Sequence, residues 1–261
     1  MTAESLVVAP TTRARRRDTG LDRQLAAAAI GHPGGHPWWL RPVDGGVEIH
    51  VDDRLGATAS AAGLQTVRIT VGAAVRNLRL GVAMLGHRPV VTLFPPATRG
   101  TVFAVVRRGA PAEPTAMERT LAGIALQVGR FLPPVGEHPV PDAVVHRARA
   151  AVEAEGLWLR SVDDAARVRL ALIRSEIAAV PTMARLVVLG GNHDVASVHL
   201  QAGQALQSLV LATRLVGHTA AVAAWPTDLV AVHPLPDSIS GIGGFPQLLV
   251  AIGRPTGSGC D

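Results

Sequence analysis

The sequence predicts an α+β fold, and two similar segments are the main reason. Residues 71–95 read VGAAVRNLRLGVAMLGHRPVVTLFP, and residues 202–226 read AGQALQSLVLATRLVGHTAAVAAWP. In each segment, apolar residues at helical spacing lead to a Gly-His pair and then to an apolar run that ends at proline. A further apolar run follows each proline, at residues 101–106 and 247–252. Helices packed on antiparallel or mixed strands make the α+β class.

The first copy shows how each element is recognised. Its buried helical stripe is formed by Val71, Val75, Leu78, Val82 and Leu85. The glycine that follows, at position 86, suits the left-handed residue that ends many helices, because glycine adopts that conformation without steric cost. The apolar run after it is typical of a buried strand.

The two segments align without a gap at a separation of 131 positions, since 202 − 71 = 131. The identical pairs are Gly72/Gly203, Ala74/Ala205, Leu78/Leu209, Leu80/Leu211, Gly86/Gly217, His87/His218, Val91/Val222 and Pro95/Pro226. We interpret the match as an internal duplication, because Gly-His falls at the same place in both copies. The alternative is that a small residue alphabet makes two amphipathic helix–strand units look alike.

Other elements are predicted around these copies. A helix is expected over residues 21–30, and Asp44-Gly45-Gly46 suits the turn of a hairpin between WWLRPV and VEIHVD. Another helix begins at Pro141-Asp142 and ends at Gly156. A helix is expected after Asp163-Asp164, and a strand over residues 184–189.

Length and composition limit the class of protein. A chain of 261 residues can form one large domain or two small halves around a substantial core. No apolar run is long enough to span a bilayer, and the basic run near the start follows its short apolar stretch, which is the wrong order for a signal peptide. We therefore expect a cytoplasmic protein without membrane contact, with residues 1–20 as a disordered arm. The single cysteine, Cys260, excludes a disulfide framework.

The basic balance does not indicate nucleic-acid binding. All 25 basic residues are arginine and the net charge is +5, so the high pI reflects the lack of lysine and tyrosine. Only residues 13–17 form a basic cluster, and aromatic residues make up 3% of the chain. A nucleic-acid surface usually combines a basic face with stacking aromatics. We expect no nucleic-acid partner.

The segment LGGNHD, residues 189–194, resembles one metal-ligand motif of calcineurin-like phosphoesterases. A two-metal hydrolase of that kind needs further ligand motifs upstream, and neither Asp-x-His nor Gly-Asp-x-x-Asp occurs before it. We therefore interpret the segment as a turn that caps a helix starting near Ala196, and we expect no metal site.

The loop GHPGGHPWW, residues 31–39, contains two histidines four positions apart. Pro33, Gly34, Gly35 and Pro37 exclude the helix that would bring the histidines together on a metal. We expect a structural loop whose two tryptophans enter the core.

The order of these pieces resembles the nitroreductase superfamily, and specifically its Acg-like branch. The resemblance spans roughly residues 21–254 and is strongest in AGQALQSLVLAT and FPQLLVAIG. In that branch one chain is similar to two fused nitroreductase subunits, which implies a first half at residues 21–115 and a second at 116–261. The resemblance implies an NAD(P)H-dependent oxidoreductase or a flavin-storage protein with FMN between the halves.

The same resemblance implies the flavin contacts, while no catalytic side chain is assigned. Arg130 matches the position that holds the FMN phosphate. Trp225, Pro226 and Thr227, after the second repeat helix, would line the flavin ring, although core packing is the expected alternative for Trp225. The loop Gly34, Gly35, His36 and Trp38 would close over the flavin from the other half.

The chain also departs from the family pattern. Of the arginine-rich phosphate motif only Arg130 is retained, and the chain contains no lysine. About sixty residues of the family are missing between the helix at 164–177 and the strand near 186, which would expose apolar surface and favours a homodimer. The alternative function is a non-catalytic relic that has lost flavin and binds a ligand or a protein.

Overall fold

The computed structural model describes residues 37–96, 100–128, 134–231 and 243–256. The predicted helix at 21–30, the arm at 1–20, and Gly34, Gly35, His36 and Arg130 lie outside the described residues. In the described part the fold is α+β, with two antiparallel sheets and helices packed on them.

The described strands fall into two groups along the chain. They are β1 Trp38–Val43, β2 Gly46–Val51, β3 His87–Leu93, β4 Val102–Pro111, β5 Trp158–Ser161, β6 Arg185–Gly191, β7 Thr219–Ala224 and β8 Phe245–Gly253. The described helices are α1 Asp53–Thr58, α2 Ala61–Met84, α3 Ala116–Val128, α4 Asp142–Glu153, α5 Ala165–Arg174, α6 Ala196–Arg214 and α7 Pro226–Ala231.

The two sheets have the same strand order. The first sheet runs β1-β2-β4-β3 and the second runs β5-β6-β8-β7. Every neighbouring pair is antiparallel. The connections differ: Asp44-Gly45 joins β1 to β2 whereas helix α5 lies between β5 and β6, and α7 lies between β7 and β8.

Local chemistry sets the ends of the two long helices. Ser60 caps α2 by accepting a hydrogen bond from the Gly63 N–H, and Gly86 follows the helix with φ of 79°. Gly217 ends α6 in the same way, with φ of 72°. The predicted left-handed glycines and the Asp44-Gly45-Gly46 hairpin are therefore confirmed, whereas α2 starts ten residues before the predicted stripe.

Helices α2 and α6 pack on each other, and each also packs on one sheet. They touch most closely at Gly72 and Gly203, which are 131 positions apart. A Cβ atom at Gly72 would overlap the carbonyl oxygen of Leu200, and one at Gly203 would overlap that of Ile69. Ile69 and Leu200 are also 131 positions apart. The two helices therefore contact each other through equivalent positions, Ile69 and Gly72 on α2 and Leu200 and Gly203 on α6. Only glycine permits this close approach.

Apolar clusters fill the space on both sides of this helix pair. One cluster joins α2 to the first sheet and includes Trp38, Ile49 and Leu78. A second joins α6 and α4 to the second sheet and includes Leu206, Leu209 and Trp225. A third fills the other face of the second sheet, where α5 covers Leu186 and Leu249. Both faces of the second sheet are thus buried. None of the described helices has the length and apolar character needed to cross a bilayer.

We call the first sheet with α1 and α2 the first unit, and the second sheet with α4 to α7 the second unit. A half-buried ion cluster adds a polar connection between α2 and the second unit. Glu155, just after α4, accepts hydrogen bonds from Arg79 Nη1 at 2.7 Å and from Ser208 Oγ at 3.0 Å. Arg76 Nε lies 3.3 Å from Glu155 Oε1, the oxygen that accepts from Ser208, and it donates to Ser208 Oγ at 2.7 Å. Burial, followed by the neighbouring Arg79, lowers the pKa of Arg76, and Glu155 opposes the shift. One carboxylate therefore balances two arginines of the other unit.

Two local expectations are wrong. Trp39 does not enter the core: its side chain is 50% exposed and stacks on His50. Adjacent strand residues point to opposite faces, so only Trp38 of the pair is buried. The helix after LGGNHD starts at Ala196 as expected, but its N-cap residue is Val195, which makes no side-chain cap hydrogen bond. The Asp194 carboxylate binds His199 instead.

Candidate functional site

The junction between the two units contains the sequence-predicted residues that the structure describes. Trp225 ends the segment after β7, and its backbone N–H donates to Asp228 Oδ2 at 2.8 Å. Pro226 starts α7, which packs against α2 of the other unit. Trp225 and Pro226 are buried, while Thr227 is half-buried. This loop of the second unit thus lies on the long helix of the first.

Trp38 reaches the same helix from the first sheet. Its indole Nε1 donates to Thr70 Oγ1 at 3.1 Å, and the Thr70 hydroxyl in turn donates to the Val67 carbonyl. Trp38 and Trp225 belong to different apolar clusters, one with Val67 and the other with Ile69. Trp38 therefore contacts α2 at Thr70, whereas Trp225 belongs to the apolar cluster of the second sheet.

A polar group that we call the junction cluster lies between α2 and the second unit, formed by Gln65, Arg68, Asp194, His199 and Gln247. His199 Nε2 lies 2.7 Å from Asp194 Oδ1, and Arg68 Nη1 lies 3.3 Å from His199 Nδ1. Gln65 Nε2 donates to Gln247 Oε1 at 2.7 Å. Both contacts of α2, through Gln65 and Arg68, therefore reach the second unit.

The hydrogen bonds fix the state of the His199 ring. An arginine N–H can only donate, so Nδ1 must accept and Nε2–H must donate to the carboxylate. Both ring nitrogens then have protein partners, and His199 connects Arg68 of α2 to Asp194. Burial lowers the pKa of Arg68, with Asp194 opposing the shift, and Arg68 Nε is buried without an acceptor. The contacts of the junction cluster therefore connect α2 of the first unit to the second unit.

The sequence contained an indication of this cluster that its motifs did not show. Arg68 and His199 are also 131 positions apart, just upstream of the two aligned segments. In an arrangement where equivalent helices cross, equivalent positions near the crossing meet each other. Arg68 and His199 differ in residue type, so identical residues at a separation of 131 do not reveal this pair. Among the described residues, no three histidine, cysteine, aspartate or glutamate side chains come together as metal ligands.

A second feature is a groove on the outer side of the second sheet, with a volume of about 410 Å³. It lies between α5 and residues 182–186 and is lined by Val140, Val162, Met183 and Leu186. Two arginines also line it, but both have protein partners. Arg169 donates to the carbonyls of Pro181 and Ala184, and Arg185 pairs with Asp142.

Glu137 holds the rim of this groove through a carboxylate tether. Its oxygens accept from the backbone N–H groups of Thr182 and Met183 and from the Thr182 hydroxyl, at 3.0–3.1 Å. The Met183 hydrogen bond contributes most to lowering the pKa of Glu137 below its usual range, and Thr182 adds to it. The tether therefore depends on the ionised carboxylate.

This dependence predicts an acid-sensitive rim. Because the folded-state pKa is depressed, the tether acts fully above the unfolded pKa of about 4.3 and is lost as the pH falls through the lower folded value. Hydrogen exchange at Thr182 and Met183, corrected for intrinsic rates, should lose protection in that acidic range. In Glu137→Gln the acid step should disappear. Wild-type protection that stays constant from neutral to acidic pH would refute the tether.

Comparisons with known proteins add little to this geometry. No family model matches the chain, and no curated protein matches it. The solved structures that are similar include a protein from Parabacteroides distasonis ATCC 8503 assigned as an NADH dehydrogenase/NAD(P)H nitroreductase. The identity is 22%, the match covers 53% of this chain and 88% of the other, and the TM-score is 0.36. A likeness at this level establishes neither a shared fold nor a shared activity.

Proposed function

We propose that the chain is a nitroreductase-like, flavin-associated protein in which one chain takes the place of two subunits. It would act as an NAD(P)H-dependent oxidoreductase or as a flavin-storage protein in the cytoplasm. The order of sequence motifs supports the family, and two sheets of equal strand order support a duplicated chain. The halves would be residues 21–115 and 116–261, with the boundary at the start of α3.

The observation that carries this proposal is the position of the loop Trp225-Pro226-Thr227. In the resembled superfamily FMN lies between subunits, so in this chain it would lie between the two units. The loop extends from the second sheet onto α2 of the first unit. Its position at the junction, where the resemblance expects the flavin ring, supports the proposal.

The described residues do not complete an FMN site by themselves. A phosphate dianion shielded from water needs paired cations or several N–H donors. Arg68 of the junction cluster already contacts His199. The proposed phosphate contact is Arg130, and the loop Gly34, Gly35 and His36 would close the site. Flavin supplies hydride chemistry when bound, and no reaction step is assigned to a side chain of this protein.

Substitution of Arg130 tests the flavin proposal. A charge-assisted contact to a shielded dianion contributes about 1.5–3 kcal/mol, so Arg130→Ala should weaken FMN binding roughly ten- to a hundred-fold. The exposed Arg147 on α4 provides a matched control, because Arg147→Ala removes the same charge from a helix surface to which no flavin contact is assigned. Quenching of FMN fluorescence measures all three affinities. Equal affinity in wild type and Arg130→Ala would refute the phosphate role.

The second candidate is a non-catalytic nitroreductase-like protein that has lost flavin and binds a smaller ligand or a protein. The burial of Trp38 and Trp225 favours it, because neither indole presents an open ring face. The Trp38 N–H is also already bonded to Thr70. Under this hypothesis, added FMN would show no quenching in wild type, whereas the flavin hypothesis requires saturable quenching.

A further inference from the structure

The rim of the groove beside α5 is fixed from two sides by charged side chains. Arg169 reaches it from α5 and donates to the carbonyls of Pro181 and Ala184. Glu137 holds it from the other side by accepting from the backbone N–H of Met183. The groove of about 410 Å³ is therefore formed before any ligand arrives, and its volume lies within the range of small-molecule sites.

The lining of the groove contains a fixed apolar surface. Val140, Val162 and Leu186 line it and are buried in the core of the second unit. Met183 lines the rim and is 46% exposed, and a methionine side chain adapts to ligands of different shape. This surface suits an aliphatic group of a ligand.

Two opposite charges line the groove without a salt bridge. Arg169 uses Nε and Nη2 for the two carbonyls, and its Nη1 has no hydrogen-bond partner among the described residues. Asp163 is exposed and has neither a hydrogen bond nor an ion pair in the described part of the chain. Arg185 also lines the groove but pairs with Asp142, and Arg167 does not line it. The groove therefore presents one guanidinium and one carboxylate that await partners of opposite charge.

We propose that this groove binds a small zwitterion of the amino-acid type with an aliphatic side chain. The ligand carboxylate accepts from Arg169 Nη1, the ligand ammonium group donates to Asp163, and the side chain packs on the apolar lining. A ligand with a single charge would leave one of the two protein charges without a partner, so charge complementarity selects the zwitterion. The proposal is independent of flavin, because no residue assigned to flavin lines the groove.

Three probes with the same aliphatic group test the charge requirement. They are L-leucine, 4-methylpentanoate, which lacks the ammonium group, and 3-methylbutylamine, which lacks the carboxylate. By isothermal titration calorimetry, 4-methylpentanoate should bind about fivefold more weakly than L-leucine, because the lost contact is exposed to water. The amine should bind about tenfold or more weakly, because it loses the contact to the guanidinium. Equal affinities of the three probes, or no binding of L-leucine, would overturn the proposal.

Substitution of Asp163 tests the ammonium contact. Asp163→Asn should weaken L-leucine about fivefold and leave the affinity for 4-methylpentanoate unchanged, because only the ammonium partner is lost. Asp44→Asn is the matched control, since Asp44 is equally exposed but lies in the hairpin turn of the first sheet. It should bind all probes as wild type does. An Asp163→Asn protein with wild-type affinity for L-leucine, or with both probes weakened equally, would contradict the contact.

Substitution of Arg169 separates the carboxylate contact from support of the rim. Arg169→Gln should weaken L-leucine and 4-methylpentanoate about tenfold or more, while 3-methylbutylamine, which has no carboxylate, keeps its wild-type affinity. If Arg169 only supports the rim, the substitution weakens all three probes alike, and that result would refute the carboxylate contact. Hydrogen exchange at Met183 reports the state of the rim in the same variant.

Discussion

Gly203→Ala should lower the stability of the folded protein by about 3 kcal/mol or more, since overpacking a tight helix contact commonly costs 1–3 kcal/mol and here meets backbone. The new Cβ would overlap the carbonyl oxygen of Ile69, which cannot rotate away as a side chain can. Helices α2 and α6 would have to separate along their contact. At roughly 2–4 °C per kcal/mol, the melting temperature should fall by about 10 °C.

Two further substitutions make this result specific. Gly72→Ala should have a similar effect, because its Cβ would overlap the equivalent oxygen, that of Leu200. Gly123→Ala on α3 is the matched control, since its Cβ would meet nothing within 4 Å. Helix propensity there favours alanine by up to about 1 kcal/mol. The two-fold crossing would be contradicted if Gly203→Ala had the melting temperature of wild type. A large difference in melting temperature between Gly72→Ala and Gly203→Ala would also contradict it.

Glu155→Gln should cost about 1.5–3 kcal/mol, the range for hydrogen bonds to charged groups, because the ion cluster is half-buried. Arg76 and Arg79 would then lie close together without a carboxylate between them. The amide can accept hydrogen bonds but carries no charge, so the loss is mainly electrostatic. Urea unfolding of wild type and variant measures the difference.

The neighbouring Glu153 provides the control for this charge change. It is exposed at the end of α4, so Glu153→Gln should stay within about 0.5 kcal/mol of wild type. If Glu155→Gln is as stable as Glu153→Gln, the ion cluster does not hold α2 to the second unit.

Features set by neighbouring residues could be predicted from the sequence. The turn at Gly45 and the helix ends at Gly86 and Gly217 depend on local backbone conformation, and the structure has them where expected. The strand after each Gly-His pair is confirmed in the same way. The apolar character of Trp39 alone predicts burial. Side chains alternate between the two faces of a strand, however, and Trp39 lies on the exposed face of β1.

Features set by distant residues could not be predicted in this way. Glu155 lies at the predicted end of a helix. Its role depends on Arg79 and Arg76, which are 76 and 79 positions away in the sequence, respectively. The Arg68–His199 contact likewise depends on how α2 crosses α6. The predicted apolar stripe begins at Val71, where the repeat begins, so it does not indicate that α2 starts at Ala61. The flavin contacts come from resemblance, and Arg130 with residues 34–36 lies outside the described residues.

Under the flavin proposal, this protein binds flavin at the junction of its two units. The most direct test is the visible absorption spectrum of the purified protein, recorded before and after incubation with excess FMN and removal of free flavin. The flavin-associated protein that we propose should retain oxidised-flavin absorption, with close to one or two FMN per chain as set by the number of junction sites. A folded protein that remains colourless after reconstitution would contradict the claim and leave the non-catalytic binding protein as the account.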